Sequence, residues 1–225
     1  TVSNNSTIDV DNASLTVVSN TGDLVFDTNV DAVNVTGGAT ALSSTVGAIN
    51  VTDSALTTSN GAVSLGAGTN ITLTRSSLTT STGDVSITTG TDLTATDSVL
   101  TFSDGVFTAN LVGSLQGTRS TTTLTNGNAT LTTGADLKLD DTSSFTVATG
   151  NLDATVSGAV LITNTSTVAV TDGSASFDIG GTTLLDTNST LSLNNPTVVG
   201  GSLLLDSDGT ITVSNNSAID VDNAD

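Results

Sequence analysis

The charged residues of this sequence have the clearest capacity for chemistry, and five of them recur at one spacing. They are 22 residues apart and alternate in sign: Asp53, Arg75, Asp97, Arg119 and Asp141. If each step is one turn of a repeating structure, the five side chains stack in a single column. Exposed ion pairs contribute only about 0–1 kcal/mol each. We therefore expect this charge ladder to fix the register of the turns and to relieve repulsion between aspartates; the alternative is a strip that binds sugars.

Several residue types on which catalysis depends are missing. The 225 residues contain no His, Cys, Trp or Tyr, which excludes nucleophilic triads and zinc sites built on His or Cys. Paired aspartates can cleave glycosidic bonds, but the turns are short and no Trp or Tyr is present to stack against a sugar. No glycine-rich phosphate loop precedes a helix. The sequence predicts a protein that is not an enzyme.

Two aspartate-rich turns carry hard oxygen ligands of the kind that Ca²⁺ prefers. They are IDVDN at Ile8–Asn12 and DSDG at Asp206–Gly209. The glycine-rich nonapeptide of calcium solenoids and the EF-hand loop are both absent, and ordinary turn chemistry explains these aspartates. We predict no cofactor, with weak Ca²⁺ association as the alternative.

The charge balance excludes two classes of partner. The formal net charge is −19, and Lys and Arg together number only three. Nucleic acids and anionic membrane surfaces both require clustered cations. No apolar run reaches the ~20 residues of a membrane-spanning helix. We expect no binding to nucleic acid and no membrane insertion.

The same step also runs through the apolar residues, which identifies the elements that position the charges. One column comprises Ile49, Ile71, Leu93, Leu115 and Leu137, and a second comprises Val63, Val85 and Phe107. Each unit contains three short runs in which apolar residues lie two apart, the period of a β-strand, and the runs end at Gly, Asp, Asn, Ser or Thr. The pattern predicts an all-β fold, a parallel β-helix with three short strands per coil and nine to ten coils.

Stacking is what makes such a coil stable, because one coil alone cannot bury its inward side chains. Parallel crossovers are right-handed in nearly every known case, so we predict a right-handed solenoid that occupies residues 1–225 without interruption. Two coils, at residues 13–38 and 173–199, are longer than the others. We expect Pro196, in the second of them, to lie in a short outward loop.

A second, much longer repeat links the two ends of the sequence. Residues 1–14 (TVSNNSTIDVDNAS) recur at residues 212–225 (TVSNNSAIDVDNAD) with twelve identical positions and an offset of 211 residues. This predicts a tandem module of 211 residues, about 43 Å long if coils are about 4.8 Å apart. Neither copy carries a helix or a polar cap. The expected partners are neighbouring modules of the same chain or identical subunits stacked end to end.

Outward positions include a column of threonines, Thr57, Thr79, Thr101 and Thr123. Ice-binding solenoids use paired threonine columns, but the neighbouring column here is Ala55, Ser77, Val99 and Thr121. The β-propensity of threonine explains the column without a ligand.

Segments such as GAVSLGAGTNITLT, GDVSITTGTDLTAT and GNATLTTGADLKL resemble the haemagglutinin-type repeats of large bacterial exoproteins, including filamentous haemagglutinin-like adhesins and autotransporter passenger domains. The resemblance implies a right-handed β-helix, secretion to the cell surface, and a role in adhesion or biofilm. We therefore expect an extracellular structural fibre or shaft. The alternative is an adhesin that binds glycans or cell surfaces through a face of the solenoid.

Overall fold

The fold is all-β. The computed structural model describes residues 1–3, 6–27, 32–194 and 202–222, and within these ranges every regular element is a β-strand. The strands are numbered β1 to β29 in chain order and form three sheets of ten, ten and nine strands, here called A, B and C. Every pair of neighbouring strands is parallel, and each strand pairs with the third strand before or after it in the chain. The chain is therefore a parallel β-solenoid with three strands per coil, as the sequence predicts.

Each sheet runs along the whole solenoid. Sheet A contains β1 (Val2–Ser3), β4 (Leu24–Asp27), β7 (Ile49–Thr52), β10 (Ile71–Thr74), β13 (Leu93–Thr96), β16 (Leu115–Thr118), β19 (Leu137–Asp140), β22 (Val160–Ile162), β25 (Thr183–Leu185) and β28 (Ile211–Val213). Sheet B contains β2 (Thr7–Asp11), β5 (Ala32–Thr36), β8 (Ala55–Thr58), β11 (Ser77–Thr80), β14 (Val99–Asp104), β17 (Thr121–Asn126), β20 (Ser144–Thr149), β23 (Thr167–Asp172), β26 (Thr190–Asn194) and β29 (Ala218–Asp222). Sheet C contains β3 (Leu15–Ser19), β6 (Thr40–Ser44), β9 (Val63–Ala67), β12 (Val85–Thr89), β15 (Phe107–Leu111), β18 (Ala129–Thr133), β21 (Leu152–Val156), β24 (Ala175–Ile179) and β27 (Leu203–Ser207).

Coil length varies along the chain, while register within each sheet is kept. Val85 pairs with Phe107, and Ala129 pairs with Leu152, so the second of these coils is longer by a single residue. The two coils expected to be longer are so, because the partners Leu15 and Thr40, and the partners Ala175 and Leu203, lie further apart in the chain. Extra residues are therefore accommodated between strands and leave the stacking unchanged. Pro196 lies outside the described residues.

The core follows from the alternation within each strand. The first predicted column (Ile49, Ile71, Leu93, Leu115, Leu137) occupies one position of sheet A and is at most 8% exposed, and the second (Val63, Val85, Phe107) occupies one position of sheet C at 1–2%. Their outward neighbours in the same strands are half-buried or exposed. Small aliphatic side chains suit this interior, because three sheets enclose little space.

Three phenylalanines lie together in the core. The rings of Phe102 and Phe107 stack with centroids 5.1 Å apart, and Phe145 lies 6.0 Å from Phe107. Phe107 and Phe145 border an internal cavity that Ala95 and Gly117 also line. Large rings on two sheets thus compensate in part for the small residues on the third, and a small cavity remains between them.

Glycines occupy the corner between sheets B and C. Gly83, Gly105 and Gly127 have φ of +115°, +134° and +137°, a region that residues with a Cβ rarely adopt. The coils also approach closely here, because a Cβ at Gly105 would lie 2.3 Å from the carbonyl oxygen of Gly83. This corner therefore requires glycine for two reasons: the backbone has a positive φ, and the neighbouring coil leaves no room for a Cβ.

We expect Gly105→Ala to lower the free energy of unfolding by about 2 kcal/mol or more, since the methyl group meets backbone and φ is unfavourable. The matched control is Gly66→Ala in β9, where the nearest atom to a new Cβ is Ser43 Oγ at 3.9 Å. That variant should lie within about 1 kcal/mol of the parent, on the stabilising side. Denaturant unfolding followed by far-ultraviolet circular dichroism measures both; equal losses would contradict this account of the corner.

Candidate functional site

The corner between sheets A and B holds the predicted charged residues, and we call it the ladder corner. From β7 onward a strand of sheet A ends, one to three residues turn the chain, a serine follows, and a strand of sheet B begins directly after it. Its central turns are Asp53–Ser54, Arg75–Ser76, Asp97–Ser98, Arg119–Ser120 and Asp141–Ser143.

The backbone at this corner is left-handed at every charged position. The five residues of the charge ladder have φ between 48° and 56°. Asp and Asn tolerate this region better than most residues with a Cβ, and later coils place Asn164, Asn188 and Asn215 in it with φ of 50–58°. Asp and Asn suit this position by conformation, whereas Arg75 and Arg119 adopt the same φ although arginine has no such preference.

The arginines of the charge ladder bind aspartates in neighbouring coils. Arg75 donates from Nε and Nη2 to the two carboxylate oxygens of Asp53 at 2.6 and 2.7 Å. Arg119 donates in the same two-pronged way to Asp97 at 2.6 and 3.1 Å, and from Nη1 to Asp141 at 2.7 Å. Arg119 therefore joins three coils. Two-pronged arginine–carboxylate pairs are the most geometrically demanding ion pairs in proteins.

These contacts favour the charged forms of Asp53, Arg75, Asp97 and Arg119. Hydrogen bonds from Arg75 and Arg119 hold the pKa of Asp53 and of Asp97 below the ordinary aspartate value, and the same aspartates raise the pKa of both arginines. General acids need a raised pKa, so the electrostatics here are those of a stable ion-pair column. The side chains stay open to solvent: Arg119 is 47% exposed and Asp97 is 37% exposed.

Beyond Asp141 the alternation continues with neutral partners. Asp140 accepts hydrogen bonds from Thr163 Oγ1 at 2.8 Å and Asn164 Nδ2 at 2.7 Å, one coil on. Asp186 accepts in the same way from Ser214 Oγ at 2.8 Å. In both cases hydrogen bonds from the next coil lower the aspartate's pKa. An acceptor in one coil thus meets a donor in the next along most of this corner.

A second ladder lies behind the charges, and the sequence prediction did not include it. Seven serines that follow the turn are at most 6% exposed: Ser54, Ser76, Ser98, Ser120, Ser143, Ser166 and Ser189. The backbone N–H of Ser76 donates to Ser98 Oγ at 3.1 Å, and the N–H of Ser98 donates to Ser120 Oγ at 3.1 Å. The hydroxyl of Ser98 then donates to a carbonyl of its own coil, that of Thr96, at 2.8 Å.

This serine ladder satisfies backbone groups where the strands leave their sheets. A buried N–H without a partner costs about 1–3 kcal/mol, and the hydroxyl of the next coil prevents that cost. The signal was present in the sequence, because serine follows the turn at the same step as the charges. It was overlooked because serine is common in turns and carries no charge or apolar surface to distinguish it.

The other predicted sites are simpler. Thr57, Thr79 and Thr101 lie in register and face outward from sheet B. The first aspartate-rich segment, which we expected to be a turn, is mostly strand: Asp9 lies in β2 and accepts a hydrogen bond from Asn34 Nδ2 at 3.0 Å. Lys138 Nζ lies 3.9 Å from Asp140. Across residues 1–3, 6–27, 32–194 and 202–222, no three acidic side chains are placed to hold a metal ion.

Comparisons with known proteins give no assignment. No family model, no curated protein and no solved structure matches this chain. The described residues contain no helix that is long and apolar enough to cross a membrane. Any function therefore has to be argued from the solenoid and its corners.

We expect Ser98→Ala to lower the free energy of unfolding by about 1–3 kcal/mol, because it leaves the buried N–H of Ser76 without an acceptor. The control is Ser86→Ala, at an outward position of β12, which should change stability by less than about 0.5 kcal/mol. Denaturant midpoints measure both. If the two variants were equally stable, the serine ladder would not hold the corner together.

The charge ladder predicts a specific dependence on salt and pH. Arg119→Gln and Lys138→Gln each remove one cation, so they change net charge equally, but only Arg119 binds two aspartates closely. At neutral pH and low salt we expect Arg119→Gln to lower the thermal midpoint more, and the gap to shrink near 1 M salt, where the Debye length is about 3 Å.

The pH dependence has a defined sign. Because the folded pKa of Asp97 is depressed, its contribution is complete above the unfolded aspartate value of about 3.9 and is lost as pH falls through the folded value. The midpoints of Arg119→Gln and the parent should therefore converge in that acidic range. A gap that stayed constant into acid would show that the ion pairs contribute nothing to stability.

Proposed function

We propose that this chain is a segment of an extracellular structural fibre, a non-catalytic shaft displayed at a cell surface. Its role is to span distance from the cell surface and to transmit force along the fibre without a break. One observation supports this proposal more than any other: the long sequence repeat falls in phase with the coils.

Ile8 and Ile219 are equivalent residues of the repeat, 211 positions apart. Both lie in sheet B, and nine successive register pairs connect them. The connected residues are Ile8, Val33, Leu56, Leu78, Leu100, Thr122, Phe145, Val168, Leu191 and Ile219. The repeat offset is therefore a whole number of coils, although single coils differ in length.

An in-phase module can follow another without a break. If the offset ended partway around a coil, the second copy would start on a different sheet and its core columns would not continue those of the first. With nine whole coils, β29 (Ala218–Asp222) occupies the strand position of β2 (Thr7–Asp11), and the same order of strands can begin again. Each module then extends the rod by about 43 Å.

The surface suits a long, single rod. A net charge of −19 on a chain with only three cations opposes side-by-side association, whereas the inward apolar columns support growth along the axis. The likeness to haemagglutinin-type shafts supports secretion and surface display. Neighbouring modules of the same polypeptide are the partners that this proposal requires.

The alternative function is an adhesin that binds glycans through an outer face. The aligned threonines Thr57, Thr79 and Thr101 and the exposed charge ladder are the regular polar features that favour it. The carboxylates of Asp53 and Asp97 are, however, already hydrogen-bonded to arginines, which leaves them less free for sugar hydroxyls. A glycan array probed with the folded chain distinguishes the two, since a shaft should bind no glycan above background.

The fibre proposal is tested by joining two modules. A chain in which residues 1–211 precede residues 1–225 should form one straight rod, longer than the parent by about 43 Å in electron micrographs and X-ray scattering. The control inserts half a coil of extra chain at the joint and should produce a bend or a gap. Two independent rods on a flexible joint in the uninterrupted chain would contradict the proposal. Antibody labelling of intact cells tests the surface location separately.

A further inference from the structure

Residues 115–126, which comprise β16 and β17, border the cavity in the core, and we call them the loose segment. We propose that the solenoid opens first at this segment, and that Arg119 keeps it closed by binding to the coils on both sides. The inference concerns opening within a single chain. In a fibre this coil would be the first to yield under tension, a consequence that rests on the proposed function.

Two inward positions of the loose segment carry small or polar residues. In sheet A, Gly117 lies in register between Ala95 and Leu139. In sheet B, Thr122 lies in register between Leu100 and Phe145. Ala95 and Thr122 are half-buried, whereas Leu100 and Leu139 beside them are each 3% exposed. A cavity in the core and a glycine inside a strand both lower local stability.

Backbone hydrogen bonding at this segment is also weaker. The N–H of Arg119 donates to the carbonyl oxygen of Asp140 at 3.3 Å, whereas the N–H of Arg75, two coils earlier, donates to that of Thr96 at 2.9 Å. Most N–H···O distances in proteins lie near 2.9–3.0 Å. Segments with few buried apolar contacts and weak backbone hydrogen bonds open at a lower cost in free energy than the rest of a protein. The loose segment combines both features.

The ion pairs of Arg119 oppose this opening. Arg119 lies inside the loose segment, and its guanidinium binds Asp97 one coil before and Asp141 one coil after. Among the described residues, Arg75 forms an ion pair only with Asp53. Separation of β16 and β17 from their neighbours would break both contacts of Arg119. Such exposed pairs contribute little each, but a small change in the free energy of opening alters the open population several-fold.

Trypsin provides a direct test, because it cleaves after Lys and Arg and the chain contains only Arg75, Arg119 and Lys138. The two arginine sites are nearly identical in sequence, TRSS at residues 74–77 and TRST at residues 118–121. In both, the arginine has a left-handed φ and a buried serine follows it. A difference in cleavage between them therefore reports local opening.

The full chain is digested under native conditions and the products are followed by mass spectrometry. Each rate is divided by that of the free peptide of the same sequence, residues 70–80 or 114–124. When opening is fast relative to cleavage, the rate reports the open population. We expect cleavage at Arg119 to be faster than at Arg75 on the order of tenfold. Equal rates would show that the chain opens only as a whole, which would overturn the proposal.

A cavity-filling variant tests the cause of the opening. Thr122→Leu supplies the residue that the same column carries at Leu56, Leu78 and Leu100. It should slow cleavage at Arg119 on the order of tenfold and leave cleavage at Arg75 unchanged. The matched control, Thr123→Leu, alters the outward neighbour and should change neither rate by more than about twofold. An unchanged Arg119 rate in Thr122→Leu would contradict the role of the cavity.

A second variant tests Arg119 and requires no repacking of the core. Asp141→Asn removes one of the two partners of Arg119 and retains a residue that tolerates the left-handed turn. At low salt it should raise cleavage at Arg119 about twofold to fivefold, and the increase should fade near 1 M salt. The control, Asp53→Asn, should leave the Arg119 rate unchanged.

No increase in Asp141→Asn, or an equal increase at both arginines, would overturn the role assigned to Arg119. These outcomes do not bear on the proposed rod, because the two-module chain tests continuity between modules and digestion tests opening within one. A bent or divided two-module chain would count against the rod and leave the cleavage results intact.

Discussion

Register between coils is the constraint on which this structure depends. A single coil has no interior, and most of its backbone N–H and C=O groups find partners in the coils before and after it. The side chains of a strand alternate strictly, so a slip of one residue would turn every core residue outward. Each coil is therefore stable only when its neighbours are in register, and the ladder corner and the glycine corner both help to set that register.

The corners hold the coils in register by different interactions, and these interactions contribute unequally to stability. The charge ladder is exposed, so each pair contributes little, whereas the serine ladder is buried and protects N–H groups whose loss of partners would cost more. At the glycine corner, carbonyl groups of one coil occupy the space that a Cβ would need in the next, so residues larger than glycine do not fit. We infer that the buried serines and the glycines set the register. The charges mainly moderate the repulsion within a very acidic rod.

The sequence predicts the fold well because apolar periodicity and coil stacking have the same cause. Columns such as Ile49 to Leu137 are visible in the sequence since each coil must present an apolar side chain at the same place. The charge ladder is visible for the same reason. The serine ladder and the pairing of Asp140 with Thr163 were not predicted, because they depend on which way a left-handed turn aims an N–H or a hydroxyl. The spacing of residues in the sequence does not specify the direction in which an N–H or a hydroxyl group points.

The orientation of the hydrogen bonds suits the mechanical function that we propose. In a parallel solenoid they run along the rod axis, so a pulling force acts on the bonds of three strands at each coil boundary together. Irregular coils do not weaken this arrangement, because the long step from Ala175 to its partner Leu203 adds residues between strands while the paired strands keep their register. We therefore expect insertions that leave the number of coils unchanged to be tolerated, and insertions of part of a coil to disrupt the stacking. The repeat of nine whole coils is what a rod under this rule requires.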